Sequence, residues 1–176
     1  MTTREEAIKL LEEAGCAPNV IEHCKEVASL AVEIAERVKT AGHAVDLELV
    51  EAGALLHDLG RCRTHGISHA VEGFMLAKDL GLKPELSEII KRHIGAGISR
   101  EEAKVLGLPD EDYFPRSLDE KIVSHADNLI RGTQRLTLEE KLSLMRKRQL
   151  SEEAIQRVKK LAEEIEKLSL NEKTNP

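Results

Sequence analysis

The chain has 176 residues, 41% of them apolar and 33% charged, with a formal net charge of −6 at pH 7. That length allows one domain with a substantial core, and the composition excludes a disordered chain. The acidic balance disfavours a general polyanion binder but leaves room for a local basic pocket.

Only three aromatic residues occur, Phe74, Tyr113 and Phe114, which argues against a stacking platform for single-stranded nucleic acid. A chain rich in Leu, Ala, Glu and Lys with so few rings reads as all-α. Its three cysteines, Cys16, Cys24 and Cys62, are odd in number and form no C-x-x-C pair, as expected of free thiols in a reducing compartment. Arg4, Glu5 and Glu6 open the N-terminus and no long apolar stretch follows. Neither a signal peptide nor a membrane span is expected, and the cytoplasm is the expected location.

In chain order, Thr3-Arg4-Glu5-Glu6 has capping-box spacing and opens a short helix ending near Gly15. Pro18 suits the first turn of a long helix to about Thr40, closed by Gly42. His23, Val27, Leu30, Ala31, Ile34 and Val38 form its inward stripe. Asp46 can cap a third helix, whose run from Val50 to Leu56 has one charge, Glu51, and leads into His57-Asp58-Leu59-Gly60. A helix apolar nearly all round is a buried helix, and Gly60 is expected to end it. Ser68 can cap the next helix, with His69, Gly73, Leu76 and Leu80 on one face, before Gly81 ends it. Pro84 starts another, where Leu86, Ile89, Ile90 and His93 line up inward before Gly95 and Gly97.

Further capping boxes begin at Ser99, Ser117 and Thr137. Between the first two, residues 107–116 are irregular and are expected to shape a pocket. The Ser117 helix carries Ile122, Val123, Ala126, Leu129 and Ile130 as its apolar set, with Asp127 among them. A last charged helix runs from Ser151 to about Leu170, followed by a polar, frayed tail. The chain reads as one domain over 1–176, with a core over about 18–132 and a C-terminal helical extension over 133–176.

His23, His57-Asp58, His69, His93 and Asp127 each lie on or beside an apolar face, on five helical segments. One such histidine is most often a core residue bonded to a carbonyl. Several imidazoles and carboxylates meeting in one place each need partners, and a divalent cation satisfies them together.

This pattern resembles the HD superfamily of metal-dependent phosphohydrolases, defined by a His, an adjacent His-Asp and a distant Asp. Here it maps onto His23, His57, Asp58 and Asp127, in the settings "LLHDLG" and "HADNL", with the likeness running from about Val20 to Arg131. The resemblance implies an orthogonal helical bundle. His69 and His93 match further ligands of members that hold two metals, in which the acid of the pair bridges both. The implied arrangement is His23, His57 and Asp127 on one ion, His69 and His93 on the other, and Asp58 between, with His57 and Asp58 the catalytic pair. Nitrogen and carboxylate ligands without thiolate suit Fe, Mn, Co, Zn or Ni, one or two ions.

The implied activity is hydrolysis of a phosphoester or phosphoanhydride by a metal-activated water, on a small phosphorylated substrate that is expected to be a nucleotide. Arg61 is the first candidate to clamp the substrate phosphate, Arg131 the second and Arg92 the third. No membrane or nucleic-acid partner is expected, and a homodimer is the one protein partner allowed for. Arg61, Cys62 and Arg63 replace acids usual in alarmone hydrolases and single-metal nucleotidases. Arg92-His93-Ile94-Gly95 lacks the paired histidines and Gly-Tyr-Pro element of the cyclic-dinucleotide branch. Small stand-alone members, including diadenosine tetraphosphate hydrolases, look closest, although His69 follows Asp58 by only 11 residues. The alternatives are a di-iron oxygenase of the same superfamily and a non-catalytic metal- and nucleotide-binding sensor. His125, some 200° round the helix from Asp127, is expected in the core or behind the ligands. His43 and His65 are expected in solvent, Cys24 and Cys62 in packing, and Arg146-Lys147-Arg148 on a solvated face.

Overall fold

Helix starts in this computed structural model, which describes residues 2–170, follow the capping chemistry of the chain closely. The nine α-helices among the described residues are α1 (Arg4–Glu13), α2 (Pro18–Thr40), α3 (Leu47–Leu56), α4 (His69–Asp79), α5 (Pro84–Arg92), α6 (Arg100–Val105), α7 (Leu118–Asn128), α8 (Leu138–Lys147) and α9 (Glu152–Ser169). Thr3, Ser99 and Thr137 close reciprocal capping boxes, and Asp46, Ser117 and Ser151 each accept one free amide. The expected third box, at Ser117, is only half formed. Glu120 turns its carboxylate to the Arg116 amide instead, at 2.9 Å, and faces Arg92. Ser68 holds the N-cap position of α4 without a side-chain hydrogen bond. The tail expected over 171–176 lies outside the described residues.

α2 runs through the middle of the bundle and packs against α3, α7 and α9. Its stripe from Val27 to Val38 is buried, together with Leu55, Leu56 and Leu59, in one large core. Each fully buried Leu or Ile in it contributes about 2 kcal/mol through removal of apolar surface from water. α3 is buried from Ala52 to Leu56, as its lack of a polar face requires. No helix among the described residues is long and apolar enough to cross a membrane.

Several local expectations are corrected. α3 ends at Leu56 and not at Gly60, and a 3₁₀ turn over Leu59–Cys62 follows. Gly60 has no positive φ; it is a close-approach glycine, since a Cβ there would overlap the His69 carbonyl oxygen and stand 2.5 Å from the Gly73 amide. α7 ends at Asn128, so Ile130 belongs to a short hairpin, β1 (Ile130–Arg131) and β2 (Gln134–Arg135), turned at Gly132 with φ +61°. Leu80 is exposed rather than inward. Residues 107–116 fold onto a small separate core of Ile98, Ala103, Leu108 and Tyr113. Lys91 ties that segment to α5, reaching Glu111 at 2.6 Å and lying over the rings of Phe74 and Tyr113.

The C-terminal helices form a hairpin with its own apolar contacts, Leu142 and Met145 against Ile155 and Val158. α9 packs on α2 and α7, which sets α8 beside the loop that follows α5.

Candidate metal centre

Each of the six expected ligand positions sits at a helix end or on an inward face, and the fold aims them at one point. His57 and Asp58 follow the last turn of α3, His69 opens α4, and His93 is the C-cap of α5. Asp127 comes from the last turn of α7 and His23 from the second turn of α2.

The four imidazoles are oriented in the same way. His57 donates from Nδ1 to the Ala54 carbonyl at 2.7 Å, His69 to Gly66 at 2.8 Å, and His93 to Ile90 at 2.8 Å. His23 donates from Nδ1 to the Gly132 carbonyl in the hairpin at 2.8 Å. A carbonyl oxygen only accepts, so each Nδ1 carries the proton and each neutral ring turns a bare Nε2 lone pair inward. These lone pairs meet carboxylates. Asp127 Oδ1 is 3.0 Å from His23 Nε2 and 3.4 Å from His57 Nε2. Asp58 divides its two oxygens: Oδ1 faces His69 and His93 at 3.1 and 3.5 Å, and Oδ2 faces His57 and His23 at 3.7 and 4.0 Å. His69 and His93 oppose their Nε2 atoms at 3.1 Å.

With all four rings neutral, as coordination requires, a set of acceptors this dense repels itself; without a cation, a proton on His57 relieves it. His57 Nε2 and Asp58 Oδ1 are buried and without a hydrogen-bond partner. Leaving such atoms unmatched costs about 1–3 kcal/mol each, more when charged. Positive charge resolves the conflict. Burial opposes the ionisation of Asp58 and Asp127, yet His57 and the neighbouring rings hold both carboxyls far below their ordinary value. Burial pulls the His57 ring down as well, but Cys24, Asp58 and Asp127 together raise it well above the ordinary imidazole value. His93 goes the other way, lowered by burial and by the charge of His57 and His69. Three groups of ligand atoms are close enough to share an ion: His23, His57 and Asp58; His57, His93 and Asp127; and Asp58, His69 and His93.

The cluster lies at the base of a cleft of about 470 Å³. Arg61 reaches in from the 3₁₀ turn, donating from Nε to Asp58 Oδ2 at 2.6 Å, and Arg131 lines the wall from the hairpin rather than from a helix. Arg92 does not reach the cleft; it is buried between Glu88 and Glu120, which corrects its candidacy. Residues 107–116 do not line the cleft either. His125 is buried away from the cluster, and burial with the charge of Arg37 lowers it to about 4, so it is neutral at pH 7.

Three of the polar lining residues are not among those the sequence points to. Asn128 donates to the Gly95 carbonyl at 2.8 Å and joins the end of α7 to the loop after His93. Lys141 and Arg148 come from the C-terminal extension. The readable signal for them was their spacing, with Leu144 and Met145 between them on one helical face. A second cavity of about 650 Å³ adjoins the cleft, sharing Ile67, Ile94, Met145 and Leu150 with it.

Comparison with known proteins matches residues 20–132 to the HD domain, a span holding all six positions. The chain belongs to the HD-domain family. It is 50% identical over 144 residues to the uncharacterized protein MJ0778 of Methanocaldococcus jannaschii, covering 82% of this chain and 85% of that one. It is 44% identical over 154 residues to a tRNA (cytidine(56)-2'-O)-methyltransferase of Thermoplasma volcanium, covering 88% of this chain but only 44% of that longer protein. Ribonuclease Y of Cutibacterium acnes is 36% identical over 77 residues, 42% of this chain and 13% of that enzyme. Among solved structures, the HD domain of the L. monocytogenes phosphodiesterase PgpH, known also in complex with cyclic-di-AMP, matches with a TM-score of 0.55. At 17% identity over 92% of this chain and 96% of that one, PgpH shares the HD fold with it.

Proposed function

We propose that this chain is a metal-dependent phosphohydrolase that cleaves a P–O bond in a small phosphodiester or phosphoanhydride, with a nucleotide as the substrate. One observation carries the reading: lone pairs converge, unmatched, at the base of a cleft in which every acid belongs to the cluster and every other charged side chain is a cation. His23, His57 and Asp127 would hold one divalent transition ion, His69 and His93 a second, and Asp58, with one oxygen turned to each group, both. Fe, Mn, Co, Zn and Ni all suit these donors. Such ions supply a water-derived nucleophile near neutral pH and compensate charge on the phosphoryl group in transfer.

The chain's own residues do the rest. Main-chain carbonyls hold the rings in the tautomer that coordinates, so little reorganisation is required on binding. Arg61 steadies Asp58 through Nε and donates from Nη1 to the His65 carbonyl at 3.4 Å, which leaves Nη2 of the planar fork to take a phosphate oxygen. Arg131 offers a second cation from the hairpin.

The names of similar proteins support a phosphodiester of nucleotides: PgpH is a phosphodiesterase whose HD domain binds cyclic-di-AMP, and Ribonuclease Y is named for action on RNA. A second reading, an RNA end as substrate, is favoured by the same ribonuclease and by the tRNA methyltransferase, of which this chain spans less than half. The di-iron oxygenase alternative uses the same ligands and is separated by dioxygen uptake.

The test is elemental analysis of purified protein, then a panel of phosphodiesters and nucleotides with each divalent ion. Both His57→Ala and Asp58→Ala are expected to lose bound metal and at least 100-fold in turnover. Full activity in either variant, or dioxygen consumption without phosphate-ester cleavage, overturns the reading.

A further inference from the structure

Many of the cations away from the cleft have acidic partners. Arg4 pairs with Glu51, Lys91 with Glu111, Arg92 with Glu88 and Glu120, Arg135 with Glu33, and Arg157 with Glu102. Arg131, Lys141 and Arg148 line the metal cleft, and among the described residues none of their side chains makes an ion pair or hydrogen bond. Concentrating unpaired cations at one place, in a chain of net charge −6, is a local inversion of the overall field.

Two of them share a helix. Lys141 lies within α8 and Arg148 is its C-cap, seven residues on and about 10 Å along the axis, on the side that carries Leu144 and Met145. Lys141 is the fourth residue of α8, at the N-terminal half, where the helix dipole does not favour a cation. Arg148 is close enough for its charge to oppose that of Lys141, and the acid acting on Lys141 is Asp127 of the cluster. No acid lies between the two cations on the cleft wall. Helix stability accounts for neither the placement of Lys141 nor the repulsion; an anion lying along the wall accounts for both. α8 also lies beyond residue 132, where the match to the HD-domain family ends.

We propose that α8 carries a recognition site for a second, non-reacting phosphate. The substrate is then a nucleotide with at least two phosphates along its backbone, one over the metal cluster and one between Lys141 and Arg148. Lys141 serves as a point charge beside the reacting group, and Arg148 as a planar clamp farther along. The substrate assignment rests on the phosphohydrolase reading; the anion site itself does not.

The test uses the metal-loaded, full-length protein with the pair Lys141→Gln and Arg148→Gln. Its control is Arg146→Gln with Lys147→Gln, which removes the same charge from positions beside Arg148 that do not line the cleft. Calorimetric titration with inorganic pyrophosphate and with orthophosphate is expected to show at least a tenfold loss of pyrophosphate affinity, relative to orthophosphate, in the cleft variant alone. The ratio of kcat/KM for a dinucleotide with a 5'-phosphate to that for one without is expected to fall at least tenfold, mainly through KM. Equal losses in both variants, or no loss in the cleft variant, overturn the proposal. Pyrophosphate binding that depends on Lys141 and Arg148, with neither dinucleotide hydrolysed, would retain the anion site and remove hydrolysis of these esters.

Discussion

A carboxylate can serve several partners at once, and Glu102 shows the consequence for pH. It completes the Ser99 capping box at 2.7 Å and accepts Arg157 Nη2 on both oxygens at 2.7 Å. Burial opposes its charge, but Arg157 and the Ser99 amide outweigh that and hold the carboxyl below its ordinary value. The unfolded chain therefore takes up this proton first as pH falls, so the contribution is present above about pH 4.5 and lost below it. Glu102→Gln is expected to destabilise by about 1–2 kcal/mol at pH 7. In urea unfolding, the difference from the parent is expected to shrink steadily as pH drops from 5 to 3; a constant difference would assign Glu102 a packing role only.

At the scale of elements, glycines separate two kinds of contact. A Cβ on Gly60 would meet the backbone of α4 at His69 and Gly73, which cannot give way. One on Gly53 would meet the tip of Ile89, with Cδ1 at 2.6 Å, and that flexible end can turn aside. Gly60→Ala is expected to cost about 3 kcal/mol and to weaken metal binding by shifting His69. Gly53→Ala should change stability by less than about 1 kcal/mol, since a better helix former offsets the crowding. Thermal melts and metal titration of both variants check the contrast. Neither role was legible in the chain: Gly60 read as a helix stop because a glycine needed for close approach and one needed for positive φ look alike in sequence. The hairpin escaped for a related reason, since two residues per strand are too few for alternation to show, and Ile130 simply continued the apolar spacing of α7. The capping boxes at Thr3, Ser99 and Thr137 were legible because their chemistry is local.

For the molecule as a whole, the cluster couples metal to stability. Ions that bind only the folded chain stabilise it by about 2.7 kcal/mol at 100 times Kd. A chelator is expected to lower Tm and divalent ions to raise it in a concentration-dependent way. A Tm indifferent to both would mean that His57 Nε2 and Asp58 Oδ1 tolerate their isolation without a cation. The same coupling explains what could be read at a distance. His23, His57, Asp58, His69, His93 and Asp127 stood out because each is a polar group placed on an apolar face, and the fold brings all six together. Lys141 and Arg148 did not stand out, because an exposed cation on a charged helix looks like any other until the packing of α9 decides which way α8 faces.

Three of the four histidine rings are steered by the turn that precedes them, within three residues of their own positions. His23 is steered instead by Gly132, 109 residues downstream, so its aim is borrowed from the hairpin. A truncation placed just after α7 would keep every donor side chain and still let this ring swing free. The boundary of the working unit is thus drawn by a backbone oxygen that coordinates nothing itself.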